Sequence, residues 1–188
     1  MRSFILGVLV TLAILIIGGL GVALLGFIPT NANTAPPDFE RHLAMNAVDA
    51  STDHHAAHVN GPVPPTDLNL IDGMKIYTMN CATCHGTLDK KKASLADSFY
   101  PPVPQLVLHP PDDPDWHNYY VIRNGIRYSG MPAWDKTLND TQMWQLVTFL
   151  SNIEKLPPAA KREFDLPGVP AAATAPAATP SPSMPMKR

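Results

Sequence analysis

Cysteine is scarce in this chain, with Cys81 and Cys84 as the only two among 188 residues. Two thiols fall short of the four ligands of a structural zinc site, so such a site would need distant histidines. Charge of one sign is also lacking, because 14 basic and 16 acidic residues leave a formal net charge of −2. This balance gives no indication of a nucleic-acid-binding surface. We find no internal repeat either.

Proline, in contrast, is abundant, with 21 residues that cluster outside one central block. We predict an anchor over residues 1–28, a periplasmic tether over 29–65 that is partly helical between Asp38 and His58, and a domain over 66–156. That domain has roughly 90 residues, so its own core is marginal and gains from a large apolar cofactor. Residues 157–188 are rich in Pro and Ala, and we expect a disordered tail there because little apolar surface is available for burial.

The N-terminus carries a long apolar run in which Phe4 to Ile28 has no charge and only Thr11 as a polar interruption. As a helix this run is about 37 Å long, which is enough to cross a hydrocarbon core of roughly 30 Å. It is longer than the apolar core of a cleaved signal peptide, although residues 30–32 form an acceptable cleavage site. We expect one uncleaved span of the cytoplasmic membrane, with the C-terminal domain on the periplasmic, non-cytoplasmic side.

The most informative motif is Cys-Ala-Thr-Cys-His at residues 81–85. In a helix, Cys81 and Cys84 share one face and each can add across a haem vinyl group, while His85 reaches the iron. A thiol redox motif would follow a strand in a βαβ pattern, and the surrounding sequence does not read that way. The motif therefore predicts one covalently attached haem c.

A low-spin electron carrier needs a sixth iron ligand from the protein, and Met131 is the best candidate. It lies in the turn-rich run Tyr-Ser-Gly-Met-Pro at residues 128–132. His109 and His117 are alternatives that would supply a second imidazole. The other methionines fit less well, because they lie on the helix before the motif, in a helix core or in the tail; they are Met74, Met79, Met143, Met184 and Met186.

Two helices frame the predicted site, and the expected fold class is all-α. One helix places Ile71, Met74, Cys81 and other residues on a single face and carries the motif at its end. The second begins at a capping box formed by Asn139 and Gln142. We expect the two helices to cross, with the first contacting the second through the residues Gly73, Tyr77, Trp144 and Val147.

These motifs resemble the class I c-type cytochromes, in particular the small membrane-anchored monohaem proteins of bacteria. The resemblance covers residues 70–156 and implies thioethers at Cys81 and Cys84, His85 as the proximal ligand and Met131 as the distal ligand. It further implies a proline carbonyl that orients the proximal imidazole. Pro104 is our choice over Pro101 and Pro102.

The implied function is one-electron transfer between redox proteins or a membrane respiratory complex, without enzymatic activity of its own. The alternative is a haem c subunit of a larger membrane oxidoreductase, such as a dehydrogenase or terminal oxidase. Flexible tethers at both ends favour the mobile carrier, since they let a small domain swing.

Three groups of charged or titratable side chains remain. Arg123 and Arg127 lie near the distal loop, where they either pair with haem propionates or are ordinary surface arginines. The run Lys90 to Lys92 either docks an acidic partner or is a solvated loop. A histidine cluster at positions 54, 55 and 58 has the spacing of a copper or zinc site if the stretch is helical, although Asp53 is the only other obvious ligand.

Overall fold

The computed structural model describes residues 1–165 and is all-helical, with no β-strand in that range. The predicted all-α class is therefore confirmed. The chain divides into two compact units, Met1–Ala35 and a second that starts at Pro36.

The first unit is built on helix α1, Arg2–Leu24. Its side chains are almost all exposed and apolar, and none is buried within the molecule. A helix of this length and composition is able to cross a membrane once, and an export signal has the same properties. The apolar surface of α1 therefore indicates a single-pass anchor.

The second unit contains the other helices. In chain order they are α2 Asp38–His55, α3 Asp67–Asn80, α4 Ala82–His85, α5 Asp115–Asn124, α6 Asp140–Asn152 and α7 Pro158–Asp165. Short 3-10 turns occur at Ala96–Ser98 and Ile153–Lys155. The predicted capping box of α6 is confirmed, because the side chain of Asn139 accepts from the Gln142 N–H and the Gln142 side chain accepts from the Asn139 N–H.

Helices α3 and α6 cross at the centre of this unit. A Cβ atom on Gly73 would lie 2.2 Å from the Gln145 carbonyl oxygen and 2.8 Å from Cβ of Phe149, so glycine is required for the close approach. The rings of Tyr77 and Phe149 pack beside the crossing with their centroids 5.8 Å apart. The predicted crossing is present, and Val147 is fully buried in it.

Part of the predicted tether packs against the helical domain. Residues 52–63, which we call the collar, include Thr52 at 3% exposure, although it follows a largely exposed stretch of α2. The imidazole of His58 stacks on the indole of Trp116 at 4.0 Å, and Oγ1 of Thr148 donates to the Val63 carbonyl at 3.2 Å. The packed unit thus begins well before residue 66, where we expected the domain to start.

A second difference concerns the C-terminal side. We expected a disordered tail from residue 157, but α7 occupies the first part of it and contacts α3. Ala160 is fully buried and Phe164 packs against the core. The small and apolar residues of α7 are buried because they pack against α3. Residues 166–188, the rest of the predicted tail, lie outside the described residues.

Candidate haem site

The motif at residues 81–85 forms a helical turn that is separate from α3. Cys81 has φ −111° and ψ −34°, which interrupts the helix after Asn80. The carbonyl of Cys81 then accepts from the N–H groups of Cys84 and His85 at 3.0 and 2.8 Å. Cys81 and Cys84 therefore lie on one turn, as the spacing predicted, although α3 does not run through it.

Tyr77 connects α3 to the end of this turn. Its hydroxyl donates to the carbonyl oxygens of His85 and Gly86, at 2.9 and 2.7 Å. Burial raises the pKa of Tyr77, and the nearby Cys81 raises it further. The hydroxyl therefore stays neutral and remains a donor to the carbonyl groups of His85 and Gly86.

The imidazole of His85 is oriented by the chain that follows. Its Nδ1 lies 2.8 Å from the Pro104 carbonyl oxygen, so that Nδ1–H donates and Nε2 keeps its lone pair. Burial lowers the pKa of His85, and the hydrogen bond to Pro104 raises it in part. The neutral ring is the form that binds a metal. The expected contact with Pro104, rather than Pro101 or Pro102, is present.

Gln105 is a site residue that sequence reasoning missed. Its amide nitrogen donates to the carbonyl of Cys84 at 3.1 Å, and its amide oxygen accepts from the Ala93 N–H at 2.7 Å. The residue is only 8% exposed, so these bonds are formed away from water. Gln105 thereby ties the motif to the loop that follows it, and no local sequence signal distinguishes it from other loop glutamines.

Both cysteine thiols are free. Burial raises the pKa of Cys81 to about 12, with Cys84 as the second cause. A reactive dithiol requires an accessible thiolate with a lowered pKa, and Cys81 has the opposite environment. The structure thus argues against the thiol redox interpretation.

Met131 lies on a loop that hydrogen bonds hold in one shape. The Ile126 N–H donates to the Met131 carbonyl at 3.1 Å, and the Met131 N–H donates to Oγ of Ser129 at 3.1 Å. Gly130 contacts the ring of Phe99 so closely that a Cβ atom would lie 2.5 Å from Cδ1. The side chain of Met131 is half-buried and packs against the same core cluster that contains Cys81.

The other candidate ligands have different surroundings. Met74 and Met143 are 1% exposed within the core, whereas Met79 is 62% exposed on α3. His117 is buried in α5 and His109 is exposed after the Pro104 loop. The tail methionines, Met184 and Met186, lie outside the described residues.

The donor set of this region fits a haem. Within residues 1–165 no group of three or more His, Cys, Asp or Glu side chains could hold a metal ion by itself. A macrocycle supplies four of the six iron positions, so only axial ligands are then needed. The buried Nε1–H of Trp134, three residues after Met131, has no hydrogen-bond partner among residues 1–165. An indole N–H of this kind suits a carboxylate acceptor such as a porphyrin propionate.

The charged groups near the site are mostly paired. Nη1 of Arg123 lies 2.6 Å from Oδ1 of Asp140, an arrangement that engages it with protein rather than with a propionate. Lys91 pairs with Asp89 at 2.5 Å and Lys92 with Asp97 at 2.6 Å, which leaves the lysine run largely neutralised. Arg127 is exposed.

The histidine cluster lacks the helical geometry on which its spacing as a copper or zinc site depended. Helix α2 ends at His55, so His58 is not on the helical face that a pairing with His54 requires. His58 instead stacks on Trp116 and its Nε2 lies 2.9 Å from the Asp53 carbonyl oxygen. Its function in the fold is packing of the collar.

Comparison with known families agrees with this geometry. A family model described as cytochrome c oxidase, cbb3-type, subunit III matches residues 69–150. The comparisons with curated proteins and with solved structures give no match. The matched range includes most of α3, the 81–85 turn, the Met131 loop and most of α6. The cytochrome c family implies a covalently bound haem c, and residues 69–150 of this chain form a c-type cytochrome domain.

Proposed function

We propose that this protein is a membrane-anchored monohaem c-type cytochrome that carries single electrons between respiratory-chain partners on the non-cytoplasmic side of the membrane. The observation that carries the proposal is the oriented imidazole of His85, held by Pro104 directly after two free thiols on one turn. Bound haem would supply a one-electron iron couple. The two cysteines of the chain allow one such attachment.

Each residue of the site has a distinct role in this proposal. Cys81 and Cys84 would form the thioethers, His85 would supply Nε2 as the proximal ligand, and Met131 would supply a soft thioether as the distal ligand. Thioether ligation and a largely dry pocket favour the ferrous state, so we expect a positive reduction potential. With His85 and Met131 both bound to the iron, no position would be left for a small substrate, which supports a carrier rather than an enzyme.

The anchor is assigned to α1, with the haem domain outside the cytoplasm. Arg2 and the terminal amine are the only cationic groups before the apolar run, which supports this orientation. Because the second unit begins at Pro36, the chain between α1 and α2 is residues 25–37, and it reaches about 45 Å when fully extended. This linker is much shorter than the tether over residues 29–65 that the sequence predicted.

A second candidate function is a haem c subunit of a larger membrane oxidoreductase. The description of the matched family, a subunit of a terminal oxidase, favours it. The short linker between α1 and α2 also supports the subunit, since a subunit of a complex needs less reach than a mobile carrier. Gentle detergent extraction followed by size-exclusion chromatography separates the two: a stoichiometric complex supports the subunit, and a monodisperse small particle supports the carrier.

The ligand assignment is tested by Met131→Ala in the full-length holoprotein. The oxidised wild-type protein should show a weak sulfur-to-iron band in the near-infrared, and the variant should lose it. Met79→Ala is the matched control, because Met79 is 62% exposed on α3 and its loss should leave the band unchanged. A wild-type spectrum typical of two histidine ligands would contradict the assignment.

A further inference from the structure

Tyr128 is the most exposed aromatic side chain among the described residues, with 96% of it accessible. Its φ of 62° lies in the left-handed region, which is unfavourable for a bulky L-residue. No hydrogen bond of its hydroxyl to residues 1–165 offsets this cost. The stability of the fold therefore gives no reason for a tyrosine with this conformation and exposure.

Hydrogen bonds and one close contact hold the loop that carries Tyr128. Ser129 N–H donates to the Ile126 carbonyl at 3.2 Å, and Oγ of Ser129 donates to the same oxygen at 2.8 Å. Behind the loop, Gly130 lies directly on the ring of Phe99. The tyrosine ring is thus presented to solvent by a backbone that these contacts hold in place, and a preorganised loop lowers the entropy cost of binding a partner.

The position of Tyr128 is close to the proposed distal ligand. Met131 follows it by three positions, and such a segment spans at most about 10 Å. A protein that covers Tyr128 therefore comes close to the proposed distal ligand, Met131.

The charge beside Tyr128 indicates the kind of partner. The neighbouring Arg127 is exposed and has no ion-pair partner within residues 1–165. Several other cations near the site are paired, as shown by Arg123 with Asp140 and Lys92 with Asp97. Arg and Tyr are also the residue types that most often dominate interface energies.

We propose that Arg127 and Tyr128 form the docking contact for an acidic redox protein, with the tyrosine ring buried in the interface and the guanidinium paired with a partner carboxylate. This inference rests on the proposed electron-transfer function. In the docked pair one electron passes from the reduced member to the oxidised member, and no bond is made or broken. The run Lys90 to Lys92 is not required for this contact.

The experiment uses full-length holoprotein produced in the native host from which the wild-type gene has been deleted. In isolated membranes, the haem is reduced by a pulse of ascorbate and its re-oxidation by the endogenous acceptor is followed by absorbance. We expect Tyr128→Ala and Arg127→Ala each to slow re-oxidation about tenfold at low ionic strength. For Arg127→Ala the difference from wild type should shrink at high salt, because salt screens the ion pair.

Matched controls separate docking from damage to the haem site. Phe39→Ala removes another aromatic side chain, 72% exposed on α2, and Lys155→Ala removes another exposed cation; both should react like wild type. Oxidation by benzoquinone, which is small and uncharged, should be equal in all variants. Slowing with benzoquinone as well would assign the effect to the haem site and overturn the docking proposal.

Two further outcomes are distinguishable. Wild-type rates in both Tyr128→Ala and Arg127→Ala would overturn the docking contact while leaving the electron carrier intact. A wild-type haem that the membranes do not re-oxidise would refute the proposed function, and the docking contact with it.

Discussion

At the scale of single residues, the 81–85 turn is held by hydrogen bonds to groups that are not among the proposed haem ligands. The backbone carbonyl of His85 accepts from the Tyr77 hydroxyl and from the Leu106 N–H, the latter at 3.0 Å. The Pro104 carbonyl fixes the imidazole ring of His85, and the Gln105 side chain donates to the Cys84 carbonyl. Such outer partners set the tautomer and the direction of a metal-binding imidazole.

We predict that Tyr77→Phe destabilises the holoprotein by about 1–3 kcal/mol, because the Gly86 carbonyl loses its buried hydrogen bond and the His85 carbonyl keeps only the Leu106 N–H as donor. Urea unfolding monitored by far-ultraviolet circular dichroism measures this change. Tyr120→Phe is the control, since no hydrogen bond of its hydroxyl is found among residues 1–165 and its removal should cost little. Equal midpoints for the two variants would contradict the role given to Tyr77.

The raised pKa of Tyr77 adds a prediction about alkaline pH. The ordinary pKa of tyrosine, 10.0, applies to the unfolded chain, and the folded value lies above it. The stabilisation is therefore complete below pH 10 and is lost as the pH rises towards the folded pKa. The free energy of unfolding of Tyr77→Phe should fall less steeply above pH 10 than that of wild type. Parallel curves for the two proteins would be inconsistent with a buried neutral Tyr77.

At the scale of elements, two close contacts of glycine set the geometry of the site. Gly73 allows α3 to contact α6, and Gly130 allows the Met131 loop to lie on the ring of Phe99. The first contact positions the helix that leads into the 81–85 turn, and the second positions the proposed distal ligand. Both depend on the absence of a side chain at one position.

We predict that Gly130→Ala weakens the distal ligation, since a Cβ atom 2.5 Å from Cδ1 of Phe99 forces the loop and the ring apart. A shift that costs about 1–3 kcal/mol should make added imidazole displace the Met131 ligand about tenfold more readily. Imidazole titration of the oxidised holoprotein, read from the loss of the near-infrared band, measures this effect.

The control for this prediction removes the clash from the other side. Adding Phe99→Ala to Gly130→Ala should restore much of the wild-type affinity for imidazole, because the Cβ atom then has space. If Gly130→Ala has the same effect with and without Phe99, the close contact is not its cause.

At the scale of the whole molecule, the collar determines how much of the chain separates the anchor from the packed unit. The sequence predicted a tether over residues 29–65. Because α2 and the collar belong to the second unit, the linker is only residues 25–37. The His58 stack on Trp116 and the bond from Thr148 to Val63 maintain this arrangement. The collar thereby limits the reach of the domain.

We predict that His58→Ala loosens the collar, because stacking of this kind contributes about 0.5–1.5 kcal/mol. Amide hydrogen exchange of the detergent-solubilised holoprotein should become about 3- to 10-fold faster over residues 52–63. His54→Ala is the matched control, as His54 is exposed and lies apart from Trp116. Unchanged exchange in His58→Ala would show that the stack does not hold the collar.

Local chemistry made much of this protein predictable from its sequence. The attachment motif, the capping box of α6, the apolar α1 and the all-α class depend on residues a few positions apart, and such patterns are readable without a fold. The family match over residues 69–150 and the observed helices agree with them.

Tertiary structure alone decided the features that depend on distant partners. The collar, the helix α7, the bonds of Gln105 and the pairing of Arg123 with Asp140 all join residues far apart in sequence. Their composition resembles ordinary linker, tail or surface, and burial against a specific neighbour is what stabilises them. A polar or flexible segment becomes ordered only when the fold places a packing partner against it. The periodicity of its own sequence does not indicate that partner.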